Sequence, residues 1–496
     1  MPHRLPEALI TPAAMAEIDR AAARSGLSSY GLMRAAGHAV AATALAHFPQ
    51  ALRFVVLAGP GNNGGDGWVA ARVLAQAGAA VAVYALYPVE GLKGDAKTAA
   101  EDAAMDAAAL AEYQPQPGDV VIDALFGAGL TRSVPEAVQR VIEAVQHARL
   151  PVLAIDLPSG VDGRSGAVLG AAFEADRTVT FVSRKPGHLL LPGRTLCGAL
   201  EVAEIGIPRR IVAAHASPIF ANGPLLWRDA VKALDPSAHK YRRGHLLVCS
   251  GGPVSSGAAR MSATAGLAGG AGLVSMAAPR NALLVLATHL TAVMLKPADG
   301  EEAFAALLSD ARYNALVIGP GLGNADRARA FTALVAREGR RLVLDADGLS
   351  AFKEAPEILF NAFSGELRLV LTPHDGEFSR LFPDLAGDES LSKIDRAFQA
   401  ARRANAVIVL KGADTVIAAP DGRVAINSNA PPWLATAGTG DVLAGLVGAH
   451  LAQSMPPFDA AASAVWRHGE AAVRAGEGMT AEDLLRAIAP LPRLDE

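Results

Sequence analysis

NAPPWLATAGTGDVLAG, Asn429 to Gly445, sets two glycines around one small hydroxyl residue and follows them with Asp441 and an apolar run of helical character. A backbone built this way can turn at little steric cost and aim successive N–H groups into one hollow. A helix beginning at Asp441 would add its positive end to that hollow, which suits a phosphate or a developing oxyanion. Asp441 would then stand where a carboxylate can take a proton from a substrate hydroxyl. The same residues also read as a Gly-rich turn with Asp441 as a helix N-cap. The rest of the chain has to decide between the two.

Upstream, the segments HLLVCSGG (245–252), AGLVSMAAP, NALVIGPGLG, RLVLDADGLS, LVLTPHDGE and AVIVLKGADTVIAA each run apolar and end in glycines or polar residues. This is the signature of buried parallel strands alternating with helices, whose ligands bind beyond the carboxyl ends of the strands. At those ends lie a glycine loop, Gly319–Gly323, and two carboxylates in DADG (345–348) that could serve a metal or cap a turn. His374 and Glu377 lie in TPHDGE, and Lys411 stands beside Gly412, where a cation would meet a nucleotide phosphate. The uncharged stretch Met261–Pro279 has the length of a membrane span. Its glycines and hydroxyls favour a buried helix, a turn and a buried strand instead.

The first half repeats the alternation independently. Two helices are expected between Leu9 and Phe48, then a strand FVVLA (54–58), the loop GPGNNGGDG (59–67) and a helix WVAARVLAQAG. AVAVYAL is a strand, KGDAKTAAEDAAMDAAALAEY is expected to be helical, and DVVIDALFGAGL and PVLAIDLPSGVDG continue the sheet. The pattern runs to about Pro208 and periodicity is lost after Arg209. We therefore expect two α/β domains, 1–220 and 221–496. GPGNNGGDG is neither a P-loop nor a GxGxxG fingerprint, yet it offers backbone N–H groups, Asn62, Asn63 and Asp66. Asp123 and Asp156 at strand ends suggest an oxygen-ligand cation site together with an acid/base group, whereas Asp162 fits a turn.

With 496 residues, 51% of them hydrophobic, the chain can bury more than one core, and a net charge of −4 argues against nucleic acid or an anionic membrane as partner. Its two cysteines, Cys197 and Cys249, lack metal-ligand spacing and read as reduced thiols of a cytoplasmic protein. The first residues carry acids early and no unbroken apolar core, so no signal peptide is expected.

The pairing of GPGNNGGDG with TPHDGE, LKGADT and ATAGTGDVLAG resembles the bifunctional NAD(P)H-hydrate repair enzymes across nearly the whole chain. The resemblance implies a Rossmann-like α/β/α epimerase domain followed by a ribokinase-like α/β/α dehydratase domain, acting on NADHX and NADPHX. It implies that Asn62, Asn63, Gly64, Gly65 and Asp66, with Gly127, Ala128, Gly129, Leu130, Thr131, Arg132 and Ser133, hold the hydrate. Asn63, Asp123 and Ser159 would bind K+, and Asp156 would contact the hydrate as the epimerising acid/base. In the second domain Ala258, Gly321 and His374 would contact the hydrate, and Lys411, Gly412, Ala413, Asp414, Thr415 and Gly440 would hold ADP with Mg2+. Asp441 would be the general base for phosphoryl transfer to the hydrate's hydroxyl. ADP is implied over ATP by the bifunctional layout, and a homo-oligomer is expected. Relatives commonly carry a Tyr near GGPVSSGAAR and a proline at Asp375, both absent here.

Two rivals compete. A ribokinase-like kinase of a small alcohol or vitamin precursor would share the Gly440–Asp441 base but leave NNGGDG without a task. A non-catalytic ligand-binding module could occupy the amino-terminal half, against which Asn63, Asp123 and Asp156 argue.

Overall fold

A computed structural model describes residues 7–232 and 240–492; residues 1–6, part of the stretch read for a signal peptide, lie outside it. The chain divides into two compact units, residues 8–219 and residues 220–492 with Glu7. Both are three-layer α/β/α structures, as the alternation predicts.

The amino-terminal unit is built on a seven-stranded sheet of order β3-β2-β1-β4-β5-β6-β7. Its strands are β1 (Arg53–Ala58), β2 (Val81–Ala85), β3 (Ala107–Ala109), β4 (Asp119–Ala124), β5 (Val152–Ile155), β6 (Arg177–Phe181) and β7 (Ala199–Ala203). Every pair is parallel. Successive residues of β1 face opposite layers: Phe54, Val56 and Ala58 pack with helices Ser29–His47 and Asn62–Gln76, Val55 and Leu57 with helix Glu136–His147. The order reverses between β1 and β4, which opens a crevice beyond their carboxyl ends.

The expectation that 93–113 is helical is corrected: the helix ends at Ala103 and Ala107–Ala109 pairs with β2 as an edge strand. Three alanines carry little strand propensity, so only the tertiary pairing reveals it.

The second unit carries a ten-stranded sheet of order β11-β10-β9-β12-β13-β14-β15-β16-β17-β8. Its strands are β8 (Ile219–Ala221), β9 (His245–Cys249), β10 (Leu273–Ala278), β11 (Met294–Pro297), β12 (Tyr313–Ile318), β13 (Arg341–Leu344), β14 (Leu369–Leu371), β15 (Ala406–Leu410), β16 (Val416–Ala418) and β17 (Val424–Ile426). Strands β9 to β15 pair in parallel, and β15, β16 and β17 pair antiparallel. Met261–Pro279 forms a helix end, a turn and β10, and among the described residues no helix is long and apolar enough to cross a membrane.

Candidate active sites

In the amino-terminal unit, helix Asn62–Gln76 starts directly behind β1, so GPGNNGGDG is half helix and not a loop preceding WVAARVLAQAG. The glycines allow close packing: a Cβ on Gly64 would lie 1.9 Å from the Gly59 carbonyl oxygen, and one on Gly67 2.4 Å from the Ala124 Cβ. The N-cap, Gly61, has no side chain to close the helix, so its first N–H groups remain available to an anion.

Asn63, Gly127 and Asp156 converge. A Cβ on Gly127 would stand 2.9 Å from Asp156 Oδ2 and 3.0 Å from Asn63 Oδ1, and the Asn63 amide nitrogen is buried without a hydrogen-bond partner. Asp123 is fully buried and accepts from the Ser159 N–H and Oγ–H, both at 2.6 Å, and from the Leu125 N–H at 3.3 Å. Burial raises its carboxyl to about 6 although the Ser159 hydrogen bonds pull it down. Asp123 and Ser159 are thus joined directly, their oxygens of the kind a hard cation takes, whereas Asn63 is placed beside Gly127.

Asp156 follows β5 with φ of 66°, a left-handed conformation costly for a non-glycine residue. Its Oδ2 accepts the Ala128 N–H at 2.9 Å, and its Oδ1 lies 2.9 Å from Thr180 Oγ1 and 2.7 Å from the Lys185 ammonium. Burial alone would raise this carboxyl, but Lys185 and the Ala128 N–H hold it down at about 2. Asp66, also buried, is pushed well above the usual carboxylate range by desolvation and by the charges of Asp156 and Asp19. Asp156 is therefore held as an anion, while its neighbour Asp66 is shifted in the opposite direction. His188, lowered to about 4 by burial and the Lys185 charge, stays neutral and donates through Nε2 to the Asp156 carbonyl at 2.7 Å, because Nδ1 accepts the Lys185 N–H. Gly65 lies within the helix. Gly129, Leu130, Thr131, Arg132 and Ser133 continue outward as a loop whose last three residues are exposed, with the Leu130 N–H closing a turn on Gly127.

In the second unit, helix Thr439–Ala452 begins two residues before Asp441, with Gly438 at φ of 88° as its N-cap. Asp441 is the third helical residue and not the cap that its position also suggested. The Thr439 hydroxyl ties the preceding turn by donating to the Thr436 carbonyl at 2.9 Å. Close crossing by helix Ser256–Ala268 explains Gly445, whose Cβ would lie 2.1 Å from the Ser262 carbonyl oxygen.

Three strand ends meet around Lys411. Its ammonium stands 2.8 Å from Asp345 Oδ1, after β13, and 3.7 Å from Glu377 Oε2, after β14. A Cβ on Gly440 would lie 3.7 Å from the same ammonium. Burial would lower Lys411, but Asp345, Glu377 and Asp441 raise it, so it is a cation. Asp441 is raised to about 6 by burial and by Asp345, against the pull of Lys411. That value suits a general base near neutral pH. Asp347 accepts the Gly323 N–H at 2.8 Å, so DADG divides its labour between an ion pair and a turn.

His374 caps helix Asp375–Leu381, its Nδ1 accepting from Gly376 and Glu377 N–H groups. Its other nitrogen, Nε2, lies 3.5 Å from Glu377 Oε1, and the imidazole side chain is exposed. Ala258 and Gly321 are neighbours, a Cβ on Gly321 lying 3.3 Å from the Ala258 Cβ. Thr415 Oγ1 donates to the Gly412 carbonyl at 2.7 Å, closing the turn Lys411–Thr415 that includes Ala413 and the buried Asp414.

Residues 246–490 match the family model described as NAD(P)H-hydrate dehydratase, and residues 29–187 match that of the YjeF-related protein N-terminus. The chain is 37% identical to the bifunctional NAD(P)H-hydrate repair enzyme Nnr of Moorella thermoacetica over 96% of this chain and 95% of that one. The chain belongs to the bifunctional NAD(P)H-hydrate repair enzyme family. Its similarity to the Salinibacter ruber member is 38% identity over 97% of this chain and 95% of that one. Among solved structures, the ADP/ATP-dependent NAD(P)H-hydrate dehydratase of Bacillus subtilis, co-crystallized with ATP/Mg2+, is 26% identical over 54% of this chain and 95% of that one, with a TM-score of 0.48.

The two halves of this repair enzyme thus carry separate sites, and the amino-terminal one contains residues that motif reading passed over. Lys185, Thr180 and His188 surround Asp156, yet they come from β6 and the segment after it. The signal was present: TVTFVSRK is an apolar strand ending in a cation, the pattern that drew attention to LKG in the second half.

Proposed function

We propose that the chain repairs hydrated nicotinamide cofactors, epimerising R and S forms of NADHX and NADPHX and dehydrating the S form to NADH or NADPH at the expense of ADP. The observation that carries the reading is Asp441, raised to about 6 at the head of a helix and facing the Lys411 cation, in a chain with full-length kinship to the repair family.

In the second unit Asp441 takes the proton of the hydrate's C6 hydroxyl, and the oxygen attacks the β-phosphoryl group of ADP. AMP leaves; elimination then expels phosphate from C6 and a proton from C5, restoring the dihydronicotinamide. Lys411 and the N–H groups at Gly440 stabilise charge on the transferring group, and the turn 411–415 holds the nucleotide. Ala258, Gly321 and His374 line the hydrate's side. Mg2+ bound with the diphosphate would neutralise part of its charge.

In the first unit the nucleotide part of the hydrate lies over the helix start at Asn62–Asp66 and the loop Gly127–Ser133. Asp156, kept ionised by Lys185, takes the proton of the C6 hydroxyl as the C6–N1 bond opens to an aldehyde with its electron pair left on N1, and returns the proton when N1 closes on the aldehyde's other face. Asn63, Asp123 and Ser159 would hold K+, which would offset charge on the buried Asp123. A homo-oligomer in the cytoplasm completes the reading.

The test is recovery of reduced-nicotinamide absorbance after adding the protein to mixed NADHX epimers with Mg2+ and ADP. Complete recovery is expected. A stall at the share of one epimer refutes the epimerase assignment, and no recovery with ADP or ATP refutes the dehydratase.

A further inference from the structure

The turn assigned to ADP contains a carboxylate, the wrong charge for a phosphate. Asp414 is buried, and its Oδ1 lies 2.6 Å from the ammonium of Lys393, a residue from a different element and outside every motif above. Lys393 is the first residue of helix Lys393–Ala404, where the helix dipole disfavours a cation. The position is therefore unfavourable for the helix and favourable for the turn. A Cβ on Gly412 would stand 2.6 Å from the Lys393 nitrogen, so the ammonium lies against the turn's own glycine. Lys393 and Asp414 also line a cavity of about 590 Å³ with Gly376 and Arg396, on the side of the turn that faces helix Asp375–Leu381. Lys411 has carboxylates of its own, Asp345 and Glu377.

We propose that Lys393 is a positioning residue for the nucleotide: it neutralises Asp414 and so gives the turn Lys411–Thr415 the shape and charge that a nucleoside diphosphate requires. This rests on the assignment of that turn to ADP. Without Lys393, the buried carboxylate loses the cation 2.6 Å from its Oδ1, and its charge opposes a phosphate brought to the turn.

The experiment compares full-length wild type, Lys393→Met and Lys393→Met with Asp414→Asn. KM for ADP and for the hydrate are measured separately, and the Kd of ADP is measured by equilibrium dialysis. Lys393→Met is expected to raise the KM and Kd for ADP by about tenfold or more, as loss of a charged hydrogen bond does, with the hydrate KM unmoved. The double variant is expected to recover most of the ADP affinity, because the charge that needed cancelling is gone. An unchanged ADP Kd in Lys393→Met overturns the proposal. So does a double variant as weak as the single one, which would make Lys393 a direct phosphate ligand. Dialysis needs no turnover, so a failed dehydratase reading would appear as absent activity with the Kd pattern still measurable.

Discussion

Replacing Lys185 with Met should silence the epimerase and loosen the amino-terminal unit while the dehydratase continues to run. The Lys185 side chain is 2% exposed, and its ammonium touches Asp156 Oδ1 at 2.7 Å, Thr180 Oγ1 at 2.8 Å and the Phe181 carbonyl at 3.2 Å. Asp156 is held at about 2 in place of its ordinary 3.8 even though burial pushes the other way. That net stabilisation of the anion is worth about 2 kcal/mol, and the contribution of Lys185 before the burial cost is larger still. Because the folded value is depressed, this stability is present above the unfolded pKa near 4 and is lost as pH falls toward 2. Removing one partner of a buried pair costs about 3–5 kcal/mol, because the other is left as an uncompensated charge. Hydrogen exchange resolved to peptides of β5 and β6, with activity of both sites measured on the same sample, gives the readout. Adding Asp156→Asn to Lys185→Met should restore part of the protection but none of the epimerase activity. If Lys185→Met exchanges like wild type, or if the double variant is no better protected than the single, the pair is not the coupled anchor argued here.

Other expectations follow from the same geometry. The dehydratase should lose kcat/KM as pH falls below about 6, since Asp441 must be ionised and its value is raised to that point; a pH–rate profile at saturating ADP checks this, and an acid limb near 4 refutes the burial argument. Asp441→Asn should lower kcat by about a thousandfold, the usual scale for a lost general base. Gly445→Ala forces a Cβ to 2.1 Å from the Ser262 carbonyl oxygen, and should cost about 1–3 kcal/mol in denaturant unfolding. Replacing K+ with tetramethylammonium should depress epimerase turnover alone, and Ser159→Ala should weaken the response to added K+; an epimerase indifferent to the cation removes K+ from the account.

The layering of both units was legible because buried parallel strands advertise themselves: FVVLA, DVVIDA and AVIVL have few other uses in a chain of this kind. β3 was not legible, since Ala107–Ala109 differs in nothing from the helix before it and becomes a strand only by pairing with β2. Helix starts were misread by two to six residues wherever glycines lay inside the first turn. Gly64, Gly65 and Gly67 read as loop residues, although they mark where a helix touches the sheet. His374 shows a different limit. Its strand-end position pointed to a ligand, but half of its imidazole is spent as a cap, which only coordinates reveal. Lys185 and Lys393 escaped because their partners, Asp156 and Asp414, lie 29 and 21 residues away in sequence, at spacings no motif encodes.

The two domains meet one electrostatic problem with opposite solutions. Asp156 and Asp441 are both carboxylates at the carboxyl edge of a parallel sheet, each within range of a lysine. Lys185 touches Asp156 directly, so the anion is pinned at about 2, while burial and the Asp156 charge push Asp66 beside it upward. Lys411 is held instead by Asp345 and Glu377, so its charge reaches Asp441 only in part and burial prevails, to about 6. Inversion at a carbon needs a group that gives a proton and a group that accepts one, and Asp156, pinned as an anion, is fitted to accept. Transfer of a phosphoryl group needs a base that takes a proton and a cation left free enough to meet the phosphate. Asp345 and Glu377 therefore do more than fix Lys411 in place: by sharing its charge they leave Asp441 basic. Asp345→Asn should consequently lower the acid limb of the dehydratase, by removing an anion beside Asp441 and freeing Lys411 to stabilise it. An acid limb that moves upward instead would mean that the base is governed by some other group.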